Sequence, residues 1–195
     1  MARRTRWVAA LGAAVSAAGF TLVLFQGPQP ELRWLGEEND LGYGHSAGEL
    51  APGETYVEGA GLIRLCTAGD AEATITDVAF DERENLEVTG WATLPQTEVL
   101  ELPEREDIGS LEGQGYDRTS HGVSTPCDPA SGPEHQTYLA VEVRWTGGDL
   151  GRGSGLRVTY EGERGGGELT GDVDLVLCGD AADCERDPLT GAPPP

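Results

Sequence analysis

Lysine is missing from this chain altogether, and 13 arginines and three histidines stand against 34 acidic residues. That balance excludes the positive surface that nucleic-acid binding needs, and no basic patch interleaved with aromatics offsets it. Nucleic acid is therefore not an expected partner. There is no Cys-x-x-Cys pair, and His45, His121 and His135 lack ligand spacing to the four cysteines, which removes the usual zinc sites. Ser154 lacks the Gly-x-Ser-x-Gly frame of a nucleophile elbow. Ser154 lies in Gly-Arg-Gly-Ser-Gly, and Ser120 and His121 are neighbours that point apart on an extended chain, so both serines read as turn residues rather than nucleophiles. No glycine loop placed to cradle phosphate precedes a helix, and no Asn-x-Ser/Thr sequon is present. The sequence thus assigns no catalytic, cofactor-binding or metal-binding residue. The missing lysine, the three isoleucines and the abundance of Gly, Ala and Arg look like a GC-rich coding sequence, which makes part of the acidity a compositional habit.

What the chain does have begins at its N-terminus. Arg3, Arg4 and Arg6 lead into an apolar run from Trp7 to Phe25 broken only by Ser16 and Thr21. At about 1.5 Å per residue this run makes a helix about 28 Å long, close to the roughly 30 Å hydrocarbon thickness of a bilayer. The best small-x-small triplet, Val15-Ser16-Ala17, lies inside the run, and cutting there leaves Ala18 to Phe25 as an apolar new N-terminus. An uncleaved signal-anchor is favoured over a cleaved signal, with the N-terminus cytoplasmic and the rest exported through a single pass. Cleavage would make the protein secreted. No cysteine follows the run, so a lipobox-type lipid anchor is excluded. Arg3-Arg4 with Thr5-Arg6-Trp7 does not match a twin-arginine signal.

All 34 acidic residues and ten of the 13 arginines follow Phe25, a formal charge of −24 on the exported part. Such a surface repels anionic headgroups and favours solubility and cationic partners. The remaining length suits one domain with a real core.

The organisation reads as a basic tip 1–6, a signal-anchor 7–25, a spacer 26–52, a β domain 53–187 with a long insert 95–136, and a Pro-rich tail 188–195. Within the spacer, Leu32, Trp34 and Leu35 are expected at the membrane interface or over one end of the domain. Period-two alternation predicts strands at Leu86–Leu94, Tyr138–Thr146 and Leu156–Glu161. In the first, Leu86, Val88, Ala92 and Leu94 are placed on one face. In the second, Leu139, Val141, Val143 and Trp145 oppose Glu142 and Arg144. In the third, Leu156, Val158 and Tyr160 oppose Arg157 and Thr159. Further strands are expected at Leu62–Cys66, Thr74–Phe80 and Val173–Cys178, with hairpin links at Asp81–Asn85, Gly147–Gly155 and Gly162–Gly167. Many short strands with no strong helical period imply a mainly β domain, an antiparallel, immunoglobulin-like β-sandwich behind one N-terminal transmembrane helix.

The insert has only Thr97–Leu102 as a candidate strand. A loop of that size is a binding surface or a mobile segment. The four cysteines, Cys66, Cys127, Cys178 and Cys184, are expected to form two disulfides in an oxidising compartment. Since Cys66 and Cys178 each end an apolar strand, pairing them and leaving Cys127 for Cys184 is preferred; the competitor pairs Cys66 with Cys127 and Cys178 with Cys184. Asp180, Asp183, Glu185 and Asp187, beside Asp172 and Asp174, offer oxygen ligands but not the EF-hand pattern, so a solvated acidic turn is preferred to a calcium site. Leu94-Pro95-Gln96-Thr97-Glu98 is similar to a sortase sorting signal, but Glu98 replaces its glycine and the match lies mid-chain.

The anchor, the spacer and the segments Tyr138–Thr146, Leu156–Tyr160 and Asp174–Cys178 together resemble uncharacterised exported, membrane-anchored β-rich proteins of high-GC Gram-positive bacteria. The resemblance implies a fold and an address and no catalytic motif. The expected function is a non-enzymatic binding or envelope-support module, its partners the membrane through the N-terminal helix and another envelope protein or wall component. The alternatives are an exported hydrolase using a carboxylate pair and a calcium-dependent wall or adhesion module.

Overall fold

A computed structural model describes residues 32–35, 43–47, 50–58, 63–95, 108–127, 136–180 and 184. The expected helix at 7–25, the candidate strand at 97–102 and the tail 188–195 lie outside them. Among the described residues no helix is long and apolar enough to cross a membrane.

The described chain is mainly β. Its strands form two sheets in which every pair is antiparallel except one. In sheet A the central strand is β8 (Thr137–Trp145). Along one edge of it runs β6 (Leu86–Pro95), and the other edge is shared by β3 (Thr55–Glu58) and β4 (Arg64–Thr67), with β1 (Leu32–Trp34) outside β4. Sheet B repeats the plan around β9 (Leu150–Gly162). Here β5 (Ala73–Glu84) takes one edge, flanked by β7 (Gly122–Val123), while β10 (Gly165–Gly171) and β11 (Val173–Cys178) share the other. The parallel pair joins β2 (Tyr43–Ala47) to β11. Strands β1 and β2 come from the stretch 26–52, so the sheets begin before residue 53, and Leu32 is fully buried rather than at an interface.

Between the sheets lies one apolar core. It takes Leu139, Val141, Val143 and Trp145 from β8, and Leu156, Val158 and Tyr160 from β9, the faces that strict alternation predicts. Each fully buried side chain of this kind contributes about 1.5–3 kcal/mol. In β6 the expected face is corrected. Thr89 is an extra residue in the ladder between Val88 and Gly90, and this bulge changes the phase: Leu86, Val88 and Trp91 turn to the inter-sheet core, while Ala92 and Leu94 turn to the outside of sheet A.

Two of the three expected hairpin links are also corrected. Asp81–Glu84 are strand, paired with β9, and the chain passes from sheet B into sheet A through Asn85 alone. Asn85 adopts φ 52°, a left-handed conformation that asparagine tolerates. Its side-chain amide donates to the Leu150 carbonyl at 3.0 Å, and its own carbonyl accepts from the Thr146 N–H at 2.9 Å. Likewise Gly147–Gly155 is not a loop, because β9 begins at Leu150. Its glycines make room for rings: a Cβ at Gly153 would stand 2.7 Å from Phe80, and one at Gly151 would stand 3.1 Å from Trp145. The third link is a hairpin, with Gly162 and Gly165 paired across Glu163-Arg164.

The preferred cysteine pairing is wrong. The bonds are Cys66–Cys127 and Cys178–Cys184. Leu65 and Leu177 point into the core, so Cys66 and Cys178, each one residue further, point out of opposite faces of the sandwich and cannot meet. Spanning 61 and 6 residues, the bridges are worth about 4 and about 2 kcal/mol in the chain-entropy model.

The insert, where described, is built into the fold. Leu111 and Tyr116 form a second core on the outside of sheet A with Val57, Ala92, Leu94 and Ala140. Beneath them the Glu142 carboxylate, 4% exposed, accepts from the Leu111 N–H at 2.7 Å, the Arg118 guanidinium at 2.8 Å and the Thr89 hydroxyl at 2.6 Å. Arg118 also donates to the Thr89 carbonyl at 2.9 Å, which the bulge exposes, and its guanidinium lies against Gly90, where a side chain would collide with it. Glu142 is thus not the solvated outward residue that alternation predicts. Beyond Arg118 the chain ties the sheets together. The Ser120 carbonyl accepts from Thr93 N–H of β6 at 2.7 Å, the His121 carbonyl accepts from Ile75 N–H of β5 at 2.9 Å, and Cys127 N–H donates to Thr67 of β4 at 2.8 Å.

Replacing Glu142 by Ala strands the buried Leu111 N–H, a loss of about 1–3 kcal/mol. Urea denaturation of Glu142→Ala is expected to show a loss in that range, with faster amide exchange at Leu111. A midpoint equal to that of the parent would mean that the insert docks without the carboxylate.

Candidate functional site

With part of the outer face of sheet A covered by the insert, a concave feature that gathers acids lies on sheet B. At Ser154 and Gly155 the edge of β9 passes from β10 to β11, and Asp172 occupies the break between them. A cleft of about 460 Å³ opens there, lined by Asp81, Glu82, Ser154, Gly155, Asp172 and Asp174. Gly155 has φ 66°, a left-handed conformation that favours glycine.

Four carboxylates therefore line one opening, and among the described residues one guanidinium, that of Arg157, pairs with any of them. Arg157, facing out of β9, approaches Asp81 at 3.1 Å and Glu168 of β10 at 3.7 Å. Partial burial pushes the Asp174 carboxyl above its ordinary range, and the neighbouring charge of Asp172 adds to the effect. Such an opening attracts cations.

The residues singled out from the sequence fall in several places. Ser154 lines the acidic cleft, and no histidine lines it with the serine. Ser120 and His121 belong to the seam between the sheets: the Ser120 hydroxyl donates to the Thr93 carbonyl at 2.9 Å, and the His121 ring packs on Trp91 with centroids 5.4 Å apart. Just upstream, Asp117 accepts from the Thr119 hydroxyl at 2.7 Å and the Thr119 N–H at 2.9 Å, and these bonds hold its carboxyl below the ordinary range. His45 lies in β2, away from the seam. Of the acids considered as calcium ligands, Asp172 and Asp174 line the cleft, Asp180 lies past the end of β11, and Asp183, Glu185 and Asp187 are outside the described residues. No group of three or more acids, cysteines or histidines among the described residues is arranged to hold a metal ion. Sequence reasoning missed Asp81 and Glu82, which it placed in a hairpin link. The signal was the unbroken extended character of β5, hidden by the charge of its last four residues.

Neither a family model nor a curated protein matches this chain. Among solved structures it is similar to a Vibrio cholerae protease, VesB, at 10% identity and a TM-score of 0.33, over 74% of this chain and 31% of that one. A likeness at that level bears on neither fold nor chemistry.

Because the folded state raises the Asp174 pKa, it binds a proton more readily than the unfolded chain, so ionisation of this group costs stability as pH rises above its ordinary 3.8. Asp174→Asn is therefore expected to raise the melting temperature at pH 7, with the gain vanishing as pH falls below that value. A gain that persists unchanged in acid would trace the effect to something other than charge.

Proposed function

We propose that the chain is a non-enzymatic binding module of the cell envelope: a two-sheet domain of broadly immunoglobulin-like architecture, held outside the cell by a transmembrane signal-anchor at 7–25. The observation that carries the binding reading is the division of labour between the faces. The outer face of sheet A is spent on holding the insert, while sheet B presents a cleft of four carboxylates toward solvent. Ser120 and His121, neighbours in sequence, serve in the inter-sheet seam. Two disulfides accord with an oxidising compartment. The apolar length of the N-terminal run and its preceding arginines support the anchor and its orientation.

In intact cells, the full chain is expected to remain in the membrane after alkaline carbonate extraction, with the domain open to external protease and the N-terminus protected. Release of a shortened chain into the medium would replace the anchor by a cleaved signal, and a fully protected domain would overturn the address.

The cleft also favours a second reading, an exported hydrolase using carboxylates, since Asp172 and Asp174 share one opening and the pKa of Asp174 is raised. The binding reading expects no turnover across a panel of aryl glycosides. Turnover that Asp174→Asn abolishes, with the fold intact by circular dichroism, would establish the hydrolase instead.

A further inference from the structure

The acidic cleft adjoins the edge of β10, which β1 approaches through Trp34 but with which no strand besides β9 pairs among the described residues. In the two-residue hairpin closed by Gly162 and Gly165, the closing pair is hydrogen-bonded, so Gly165, Gly167, Leu169 and Gly171 direct their backbone groups at β9. Gly166, Glu168 and Thr170 direct theirs away. The Thr170 carbonyl accepts from the Trp34 indole N–H at 3.1 Å, which marks the end of the open run. Both backbone groups of Gly166 and Glu168, and the N–H of Thr170, have no partner among the described residues, and all three residues are exposed.

Nothing on this strand blocks pairing. It carries no proline and no lysine, the devices that blunt natural edges, and three consecutive glycines leave its backbone uncovered. At its far end lie Asp172 and Asp174. From Glu161 to Asp174 the ribbon holds five acids and one arginine. Among the acids lining the cleft, Asp81 has Arg157 beside it, whereas Glu82, Asp172 and Asp174 have no cation beside them among the described residues.

We propose that the free edge of β10 accepts an extended cationic peptide segment as an added strand, whose basic side chains reach the acidic cleft. Main-chain bonds to Gly166, Glu168 and Thr170 supply the pairing, and the carboxylates select the charge of the partner. The same acidity disfavours a second copy of this chain at the edge, since like charges would be brought face to face. The inference rests on reading the protein as a binding module. It is independent of the anchor, so its failure in solution leaves the membrane assay standing.

The test uses the full chain in detergent micelles and the labelled peptide Arg-Thr-Arg-Val-Arg-Thr-Arg. A second peptide of the same sequence carries N-methyl groups on alternate amides. Saturable binding is expected, weakened by salt, with slowed amide exchange at Gly166, Glu168 and Thr170. N-methylation is expected to weaken it about tenfold or more, because the strand-pairing bonds are lost while the charge is kept. Glu168→Pro, which removes an outward N–H and no ladder bond, is expected to act alike. Should that variant misfold, the N-methylated peptide decides the matter on the unaltered protein. Equal binding of the two peptides would reduce the effect to nonspecific ion pairing and overturn the proposal. No binding at millimolar peptide would also overturn it, as would self-association that competes with the peptide for the same amides.

Discussion

A single carboxylate decides what this domain can display. Glu142 stands on the wrong face of β8 for the inter-sheet core, and left alone there it would be an ordinary solvated acid. Its three donors come from two places: a backbone N–H and an arginine of the insert, and a hydroxyl of the β6 bulge. Removing such a charge from water is unfavourable unless its lone pairs are met, and here they are. Docked in this way, the insert buries Leu111 and Tyr116, and then continues into the bonds that join β6 to β5 and β4. The bulge at Thr89, the glycine at position 90 and the second core on sheet A all meet around that carboxylate.

The two outer faces are thereby made unequal. On sheet A, Glu142 of β8 and Thr89 of β6 are spent on internal contacts. On sheet B the acids have no such cover, and Arg157 is shared between Asp81 and Glu168. A strongly acidic composition is thus distributed by the fold rather than spread evenly, and the concentrated part lies where β10 ends and β11 begins.

Much of the plan was legible in the residues. Alternation placed the core faces of β8 and the second half of β9 correctly, because neither segment carries a bulge. Elsewhere, one extra residue at Thr89 was enough to reverse half of β6, and its local mark is Gly90, an isolated glycine within a strand. The glycines of Gly151-Arg152-Gly153 read as a turn, whereas they are strand residues whose missing side chains admit the rings of Trp145 and Phe80. The cysteine pairing was recoverable in principle: both Cys66 and Cys178 directly follow core leucines, so both point outward. What remained hidden was that their strands belong to different sheets. The covered face of β8 also left a trace, since Tyr138 and Ala140 are apolar on the side shared with Glu142. The acidic cleft was half visible in Asp172 and Asp174, but Asp81 and Glu82 reach it only through long-range pairing of β5 with β9.

Asn85 has a mechanical meaning. Through that one residue the last pair of sheet B becomes the first pair of sheet A, and a short turn returns the chain from β8 to β9 beside it. The halves of the sandwich are therefore not two plates held by grease alone. They are folds of one continuous ribbon, joined at that corner and through the core they share. The domain is expected to melt as one cooperative unit.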